Sequence, residues 1–188
     1  MNRESIQNFV QQTESQVYER KRSLGHQDDG LESLCGMINA EAAEGTVAFG
    51  IDPGGEIVGV EPGDLDSAQR SLSHKIINKF DPPIQHTIRV PELQGKRVFV
   101  VKAQRNRNIP YHEFNGRAFI REGTVTRRLT LDEKQSLQRQ RNRDLHTGPW
   151  KCNRCGSCVG MLASVAITDQ GVRKSYGCNC GGEYWPSA

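Results

Sequence analysis

The sequence lacks any long apolar run. No stretch approaches the roughly 20 apolar residues that a transmembrane helix requires, and the residues that follow Met1 are polar, so no secretory signal is expected. Mean hydropathy is low at −0.65, yet the apolar residues recur periodically, which argues against a disordered chain. Neither a G-x-G-x-x-G motif nor a Walker loop occurs, so nucleotide binding through those motifs is not indicated. We therefore expect a folded, soluble, cytoplasmic protein with no membrane partner.

Cysteine is almost absent from the first 151 residues. Cys35 stands alone in an apolar helical pattern, which is typical of a small buried side chain, and the other five of the six cysteines all come later. Intracellular cysteines are kept reduced, so closely spaced pairs indicate a metal site more often than a disulfide. The late cysteines therefore favour metal binding.

Two groups of these cysteines flank a predicted hairpin formed by residues 159–168 and 172–176. That arrangement is typical of a zinc ribbon, in which four thiolates hold Zn²⁺ tetrahedrally. We expect the ligands to be Cys152, Cys155, Cys178 and Cys180, with Cys158 as an alternative to one of them. A redox role for the Cys155–Cys158 pair is disfavoured because no thioredoxin-like strand–helix pattern surrounds it. Residues 146–188 are thus predicted to form a small β zinc-ribbon module that needs its metal to fold.

The formal net charge is only +3, but basic residues concentrate in the middle and late parts of the chain. Such an asymmetry points modestly to nucleic acid. Candidate phosphate contacts are Arg121, Arg127, Arg128, Lys134, Arg139, Arg141 and Arg143. The alternative for those on the late helix is an ordinary solvated basic face.

Residues 44–60 predict a β-hairpin. Large apolar residues alternate with smaller ones from Val47 to Ile51, so one face of the first strand is expected to be apolar. Asp52-Pro53-Gly54-Gly55 supplies the turn, because Asp caps its own backbone, Pro presets φ and Gly tolerates a positive φ. The return strand is expected to begin at Ile57.

The rest of residues 1–145 predicts an α+β domain in which helices flank a mixed or antiparallel sheet. Helices are expected at residues 5–10, about 31–39, 65–76 and 130–143, the last opened by a Thr130–Glu133 capping box. Strands are expected at residues 14–21, 84–90, 97–103 and 117–121.

Several of these segments form a recognisable series. They are Glu14, Glu19 and Lys21, then the Gly45–Gly59 stretch, Pro110-Tyr111 and the run from Phe119 to Thr126. In this order they resemble the Schlafen/AlbA-like domain over about residues 1–128. The resemblance implies an α+β fold and a function that involves nucleic acid. Some relatives are metal-dependent endoribonucleases that act on transfer RNA, and others are regulatory or DNA-binding modules.

Carried over residue by residue, the resemblance implies that Glu14 and Glu19 are catalytic carboxylates and that Lys21 contacts the phosphate. Carboxylates of this kind hold Mg²⁺ or Mn²⁺, which activates water for hydrolysis. Where active relatives present two adjacent aspartates, this chain has Asp52-Pro53, so Asp52 is the candidate third carboxylate. The alternative is that Glu19 and Lys21 form a surface pair worth ~0.2–1 kcal/mol, and that Asp52 is a turn residue.

The sequence therefore predicts a nucleic-acid-binding protein and a candidate divalent-metal-dependent endoribonuclease for structured RNA such as transfer RNA. A non-catalytic DNA- or RNA-binding or regulatory module is the main alternative, and a protein-interaction adaptor is a third. Because larger relatives pair two such lobes, a homodimer is expected.

Overall fold

The computed structural model describes residues 13–61, 63–106, 109–146, 161–168, 171–177 and 183–184, with side chains as far as residue 140. The predicted helix at residues 5–10 lies outside these ranges. Two compact units are present, Met1–Gln135 and Ser136–Ala188.

The described residues form an α+β structure, as the sequence predicts. The helices are α1 (Gln27–Asn39), α2 (Leu65–Lys79) and α3 (Leu131–His146), and a short 3-10 turn at Leu24–His26 occupies part of the predicted loop before α1. The strands of the first unit are β1 (Tyr18–Lys21), β2 (Glu44–Phe49), β3 (Phe80–Asp81), β4 (Gln85–Arg89), β5 (Glu92–Leu93), β6 (Lys96–Arg97), β7 (Phe99–Gln104), β8 (Glu113–Phe114), β9 (Arg117–Glu122) and β10 (Val125–Arg128).

The first sheet is mixed, with the strand order β1-β2-β7-β4. β1 runs parallel to β2, and β7 is antiparallel to both β2 and β4. A second sheet has the order β10-β9-β8-β3, and β5 pairs with β6 as a separate two-stranded hairpin. The two central strands of the first sheet, β2 and β7, are therefore far apart in the sequence.

Helix α1 packs between the two sheets and carries the main core. The predicted stripe Leu31, Leu34, Cys35 and Ile38 is fully buried, where it packs with apolar residues of β2 and β7. The close approach of α1 to β9 depends on Gly36, because a Cβ at this position would lie 3.2 Å from the backbone N of Arg121. Any larger residue would push the helix away from the strand.

The predicted hairpin at residues 44–60 is only partly present. The antiparallel neighbour of β2 is β7, and the expected return strand is reduced to one bridge between Ile51 and Ile57. Gly50 has φ +101°, which interrupts the alternation of side chains. As a result Ile51 lies in a second apolar cluster with Tyr18 and Ala48, on the face opposite Phe49. The expectation of one apolar face was wrong, because β2 is buried on both faces.

The second unit contains an antiparallel hairpin at the predicted place. Its strands are β11 (Met161–Thr168) and β12 (Gly171–Gly177), and β13 (Glu183–Tyr184) pairs with the end of β12. Within the described ranges, none of the helices combines the length and the apolar character that a transmembrane span needs.

Candidate functional site

The site begins at Glu19, in the middle of β1. Strand periodicity places Glu19 and Lys21 on one face, and the Lys21 Nζ lies 2.6 Å from Oε1 of Glu19. The other carboxylate oxygen, Oε2, lies 2.6 Å from Nη2 of Arg121 on β9. Glu19 is therefore held between two cations, one on its own strand and one from the second sheet.

Arg121 is a buried structural residue. Its side chain is 1% exposed, its Nε donates to the Ser15 carbonyl oxygen at 2.9 Å, and its Nη1 donates to Oγ1 of Thr126 at 3.1 Å. The prediction that Arg121 contacts nucleic acid is corrected, because a guanidinium enclosed in this way cannot reach a phosphate in solvent. From its position on β9, Arg121 instead connects Ser15 and β1 to Thr126 on β10.

Glu14 and Asp52 both make local backbone hydrogen bonds. Oε1 of Glu14 accepts from the Arg20 amide at 3.1 Å, and Oδ1 of Asp52 accepts from the Glu56 amide at 2.9 Å. The second contact is typical of an aspartate that caps its own turn. Among the described residues, no three His, Cys, Asp or Glu side chains are arranged to hold a metal ion. The structure therefore does not gather Glu14, Glu19 and Asp52 into one metal-binding group.

Two of the predicted phosphate contacts are already engaged with acids. Nη2 of Arg127 lies 2.6 Å from Glu122 and 2.7 Å from Glu133, and these hydrogen bonds raise the Arg127 pKa. Nζ of Lys134 lies 2.7 Å from Oε1 of Glu113. The neighbouring carboxylates therefore largely neutralise the positive charges of Arg127 and Lys134.

The remaining candidate cations differ in position. Arg128 ends β10 and is exposed, and Arg139 is exposed on α3 in the second unit. The side chains of Arg141 and Arg143 lie outside the described residues, so their predicted role is not addressed.

The predicted zinc ligands Cys152, Cys155, Cys158, Cys178 and Cys180 also lie outside the described residues. Cys35, by contrast, is fully buried in α1. The expectation of a small buried side chain is therefore confirmed, and burial raises the pKa of this thiol to about 12.

Two buried polar residues of the site region were not singled out from the sequence. Asn39, at the end of α1, donates to the carbonyl oxygens of His112 at 2.8 Å and Phe119 at 2.9 Å, and accepts from the His112 amide at 2.8 Å. Nδ1 of His112 lies 2.7 Å from the Pro82 carbonyl oxygen, and burial lowers the pKa of this imidazole. Asn39 was difficult to identify from the sequence, because an Asn at the end of a helix is usually exposed.

A family model described as Schlafen, AlbA_2 matches residues 14–130, which is more than half of the 188 residues. The chain belongs to the Schlafen AlbA_2 family. The predicted resemblance is therefore confirmed, and the match includes Glu19, Lys21 and Arg121. It ends before α3, so the Schlafen AlbA_2 match does not extend to the late cysteines.

Two solved structures resemble this Schlafen AlbA_2 chain. The DIP2311 protein from Corynebacterium diphtheriae is 18% identical, with 81% of this chain and 30% of that chain covered and a TM-score of 0.49. The N-terminal domain of a RecG-related protein from Nitrosomonas europaea is 18% identical, with 68% and 90% covered and a TM-score of 0.43. This chain thus spans under a third of the DIP2311 chain. No curated protein matches the sequence.

Proposed function

We propose that this protein binds nucleic acid through its Schlafen AlbA_2 unit and does not cut the bound strand. Membership of the family supports a nucleic-acid-related function. The proposal that the protein does not cut nucleic acid rests on the ion pairs of Glu19. One of its carboxylate oxygens lies 2.6 Å from Lys21, and the other lies 2.6 Å from Arg121.

A hydrolytic metal site needs carboxylate oxygens that are open to the ion. Mg²⁺ and Mn²⁺ are bound through such oxygens together with water or substrate phosphate. To bind Glu19, an ion would have to displace Lys21 from Oε1 or Arg121 from Oε2. The second change would leave a buried guanidinium without its counter-charge, which is strongly unfavourable. Binding without cleavage requires no such rearrangement.

Exposed cations supply the attraction to phosphate. Arg128 is exposed and makes no ion pair with a described carboxylate, in contrast to Arg127 and Lys134. Neutralising phosphates with such residues releases counterions, which makes the affinity depend steeply on salt. The phosphate contact predicted for Arg139, which lies on the second unit, stays a prediction.

Fluorescence anisotropy with labelled transfer RNA and with single- and double-stranded DNA, in EDTA, tests this proposal. For three phosphate contacts, we expect affinity to fall about 40-fold between 50 and 200 mM NaCl. Arg128→Ala should weaken binding, whereas Lys75→Ala is the matched control because Asp28 already pairs with that ammonium at 2.9 Å. Absence of binding to all three probes at 50 mM NaCl would overturn the proposal and favour a protein-interaction adaptor.

Metal-dependent cleavage is the second candidate function. It is favoured by the position of the three carboxylates, which all lie along β1. Glu14 accepts a hydrogen bond from the β1 backbone, and Glu19 lies within the strand. The turn that contains Asp52 adjoins the end of β1, because the amides of Gly50 and Ile51 donate to the Lys21 carbonyl oxygen. Incubation of transfer RNA with the protein and Mn²⁺ or Mg²⁺ decides between the two functions. Cleavage that Glu14→Gln abolishes, with binding retained, would establish the enzyme.

We also propose that the second unit holds a structural zinc ion. Met161 pairs with Gly177 and Gly177 pairs with Glu183, so along the chain both cysteine groups adjoin the same end of the β11–β12 hairpin. Cys158 precedes Met161 by three positions, and Cys178 and Cys180 belong to the short connection between β12 and β13. Cysteines that adjoin one hairpin end along the chain are the pattern expected for a tetrahedral Zn²⁺ site with four thiolates.

A homodimer and a cytoplasmic location remain predictions from the resemblance and the composition. Light scattering coupled to size-exclusion chromatography tests the dimer directly, and a monomer mass at micromolar concentration would overturn that expectation.

A further inference from the structure

A small cleft lies beside the glycine-rich segment that follows β2. It is about 220 Å³ in volume and is lined by Gly59, Val60 and Glu61 on one side and by Gly95, Lys96 and Arg97 on the other. Drug-sized ligands occupy pockets of about 300–1,000 Å³. The cleft is therefore too small for such a molecule but large enough for a phosphate group with part of a nucleotide.

The two walls of the cleft are joined by hydrogen bonds. The Val60 amide donates to the Arg97 carbonyl oxygen at 2.8 Å, and Nζ of Lys96 donates to the Ile57 carbonyl oxygen at 2.9 Å. Gly59 has φ +78°, and a Cβ at this position would lie 2.8 Å from Cβ of Lys96. Glycine is thus required for the lysine stem to lie across the segment, and the cleft is a built feature of the fold.

The charge of the cleft favours an anion. Two of its six lining residues are basic and one, Glu61, is acidic. Neither Lys96 nor Arg97 makes an ion pair with a described carboxylate, whereas Lys21, Lys75, Lys102, Arg121, Arg127 and Lys134 each do. Lys96 commits only one of its three donors to Ile57.

We propose that this cleft is a phosphate-binding site and that it takes a backbone phosphate of the bound nucleic acid. The identification of the polymer rests on the proposed function, while the preference for phosphate rests on the cleft alone. Lys96 and Arg97 supply the positive charge, and Gly95, where a Cβ would meet nothing within 4 Å, allows a phosphate to approach the backbone closely. A free phosphate or a nucleotide carries the same group, so the experiment must distinguish these sources.

The first measurement is an amide NMR titration of the full ¹⁵N-labelled chain with inorganic phosphate. We expect the Gly59 and Gly95 resonances to shift in a saturable manner, and we expect Arg97→Gln to abolish the shift. No saturable shift at either glycine would overturn the site.

The second measurement is transfer RNA binding by Arg97→Gln and Lys96→Met, with Lys75→Met as the matched control. Each cleft variant should weaken binding several-fold and make the slope of log K against log[salt] shallower by about 0.9. Lys96→Met also loses the bond to Ile57, so Arg97→Gln decides the result if the first variant proves unstable by circular dichroism.

The two measurements separate the possible failures. Phosphate shifts together with unchanged transfer RNA binding in both variants would overturn the nucleic-acid assignment and indicate a small phosphate-containing ligand. If the unaltered protein binds no nucleic acid, the proposed function fails, and the phosphate site is then judged by the amide shifts alone.

Discussion

At the scale of single residues, Glu19 has a role that its motif alone does not reveal. Period-two alternation correctly places it on one face with Lys21, and these two side chains do pair. Arg121 could not be assigned as its other partner, because the two residues lie on β9 and β1, about a hundred positions apart in the sequence. A contact over that distance depends on how the two sheets pack, which no local pattern specifies.

Glu19→Ala should destabilise the protein by about 3 kcal/mol, because it leaves the buried Arg121 without its counter-charge. Urea unfolding followed by circular dichroism measures the change in the free energy of unfolding. Lys21→Met is the control, and it should change stability by no more than about 1 kcal/mol, since the Lys21 side chain is 22% exposed. Equal stability of Glu19→Ala and the unaltered protein would show that the ion pair is not structural.

This prediction also decides how cleavage must be tested. Loss of cleavage in a Glu19 variant does not identify a catalytic group if the variant is partly unfolded. Glu14→Gln is the sharper variant, because Glu14 bonds to a backbone amide near the surface rather than to a buried cation.

His112 should make stability depend on pH. The Pro82 carbonyl oxygen can only accept, so Nδ1 carries the proton of the neutral ring, and Nε2 is buried without a hydrogen-bond partner among the described residues. Burial lowers the His112 pKa below its usual 6.5 and Arg105 adds to this, while the hydrogen bond to Pro82 and the nearby Asp81 oppose it. Since the unfolded chain then binds more protons, stability should fall as the pH drops below about 6.5.

His112→Asn provides the comparison for that pH dependence, because its amide can still donate to Pro82 but does not titrate. Urea unfolding at several values between pH 5 and 8 should show a smaller loss of stability on acidification in the variant than in the unaltered protein. Parallel pH profiles for the two proteins would contradict the assignment.

At the scale of elements, local signals correctly predicted the helices that lie within the described residues and failed for the pairing of β2. The apolar stripe of α1 and the Thr130–Glu133 capping box follow from spacings of three and four residues, and both are present. The pairing of β2 was wrong, because the Pro-Gly-Gly turn suggested a local return strand while the true neighbour, β7, comes some fifty residues later. Two positive-φ glycines, Gly50 and Gly59, end the local pairing.

The start of α3 should depend on the capping box. The Glu133 amide donates to Oγ1 of Thr130 at 3.3 Å, and the Thr130 amide donates to Oε2 of Glu133 at 2.8 Å. Thr130→Ala should raise the hydrogen-exchange rate of the Glu133 amide, because that donor loses its acceptor. Thr130→Ser keeps the hydroxyl and should exchange at nearly the original rate; equal protection in the alanine variant would show that the cap is dispensable.

At the scale of the whole molecule, the chain divides into a Schlafen AlbA_2 unit and a second unit that the family match does not reach. The first has an apolar core on both faces of its main sheet. The described part of the second comprises most of α3 and a three-stranded sheet, and a segment this small seldom folds on an apolar core alone.

Zinc removal should therefore unfold the second unit and leave the first intact. Mass spectrometry of the metal content should find about one zinc per chain, and Cys152→Ser with Cys178→Ser should lose it while Cys35→Ala retains it. A strong chelator should raise hydrogen exchange in β11 and β12 without changing that of α1, because the proposed zinc site would couple metal binding to folding in the second unit alone. Two results together would exclude the ribbon and leave the late cysteines without a metal role. The protein purified without chelator would contain no zinc, and added Zn²⁺ would not change hydrogen exchange in β11 and β12.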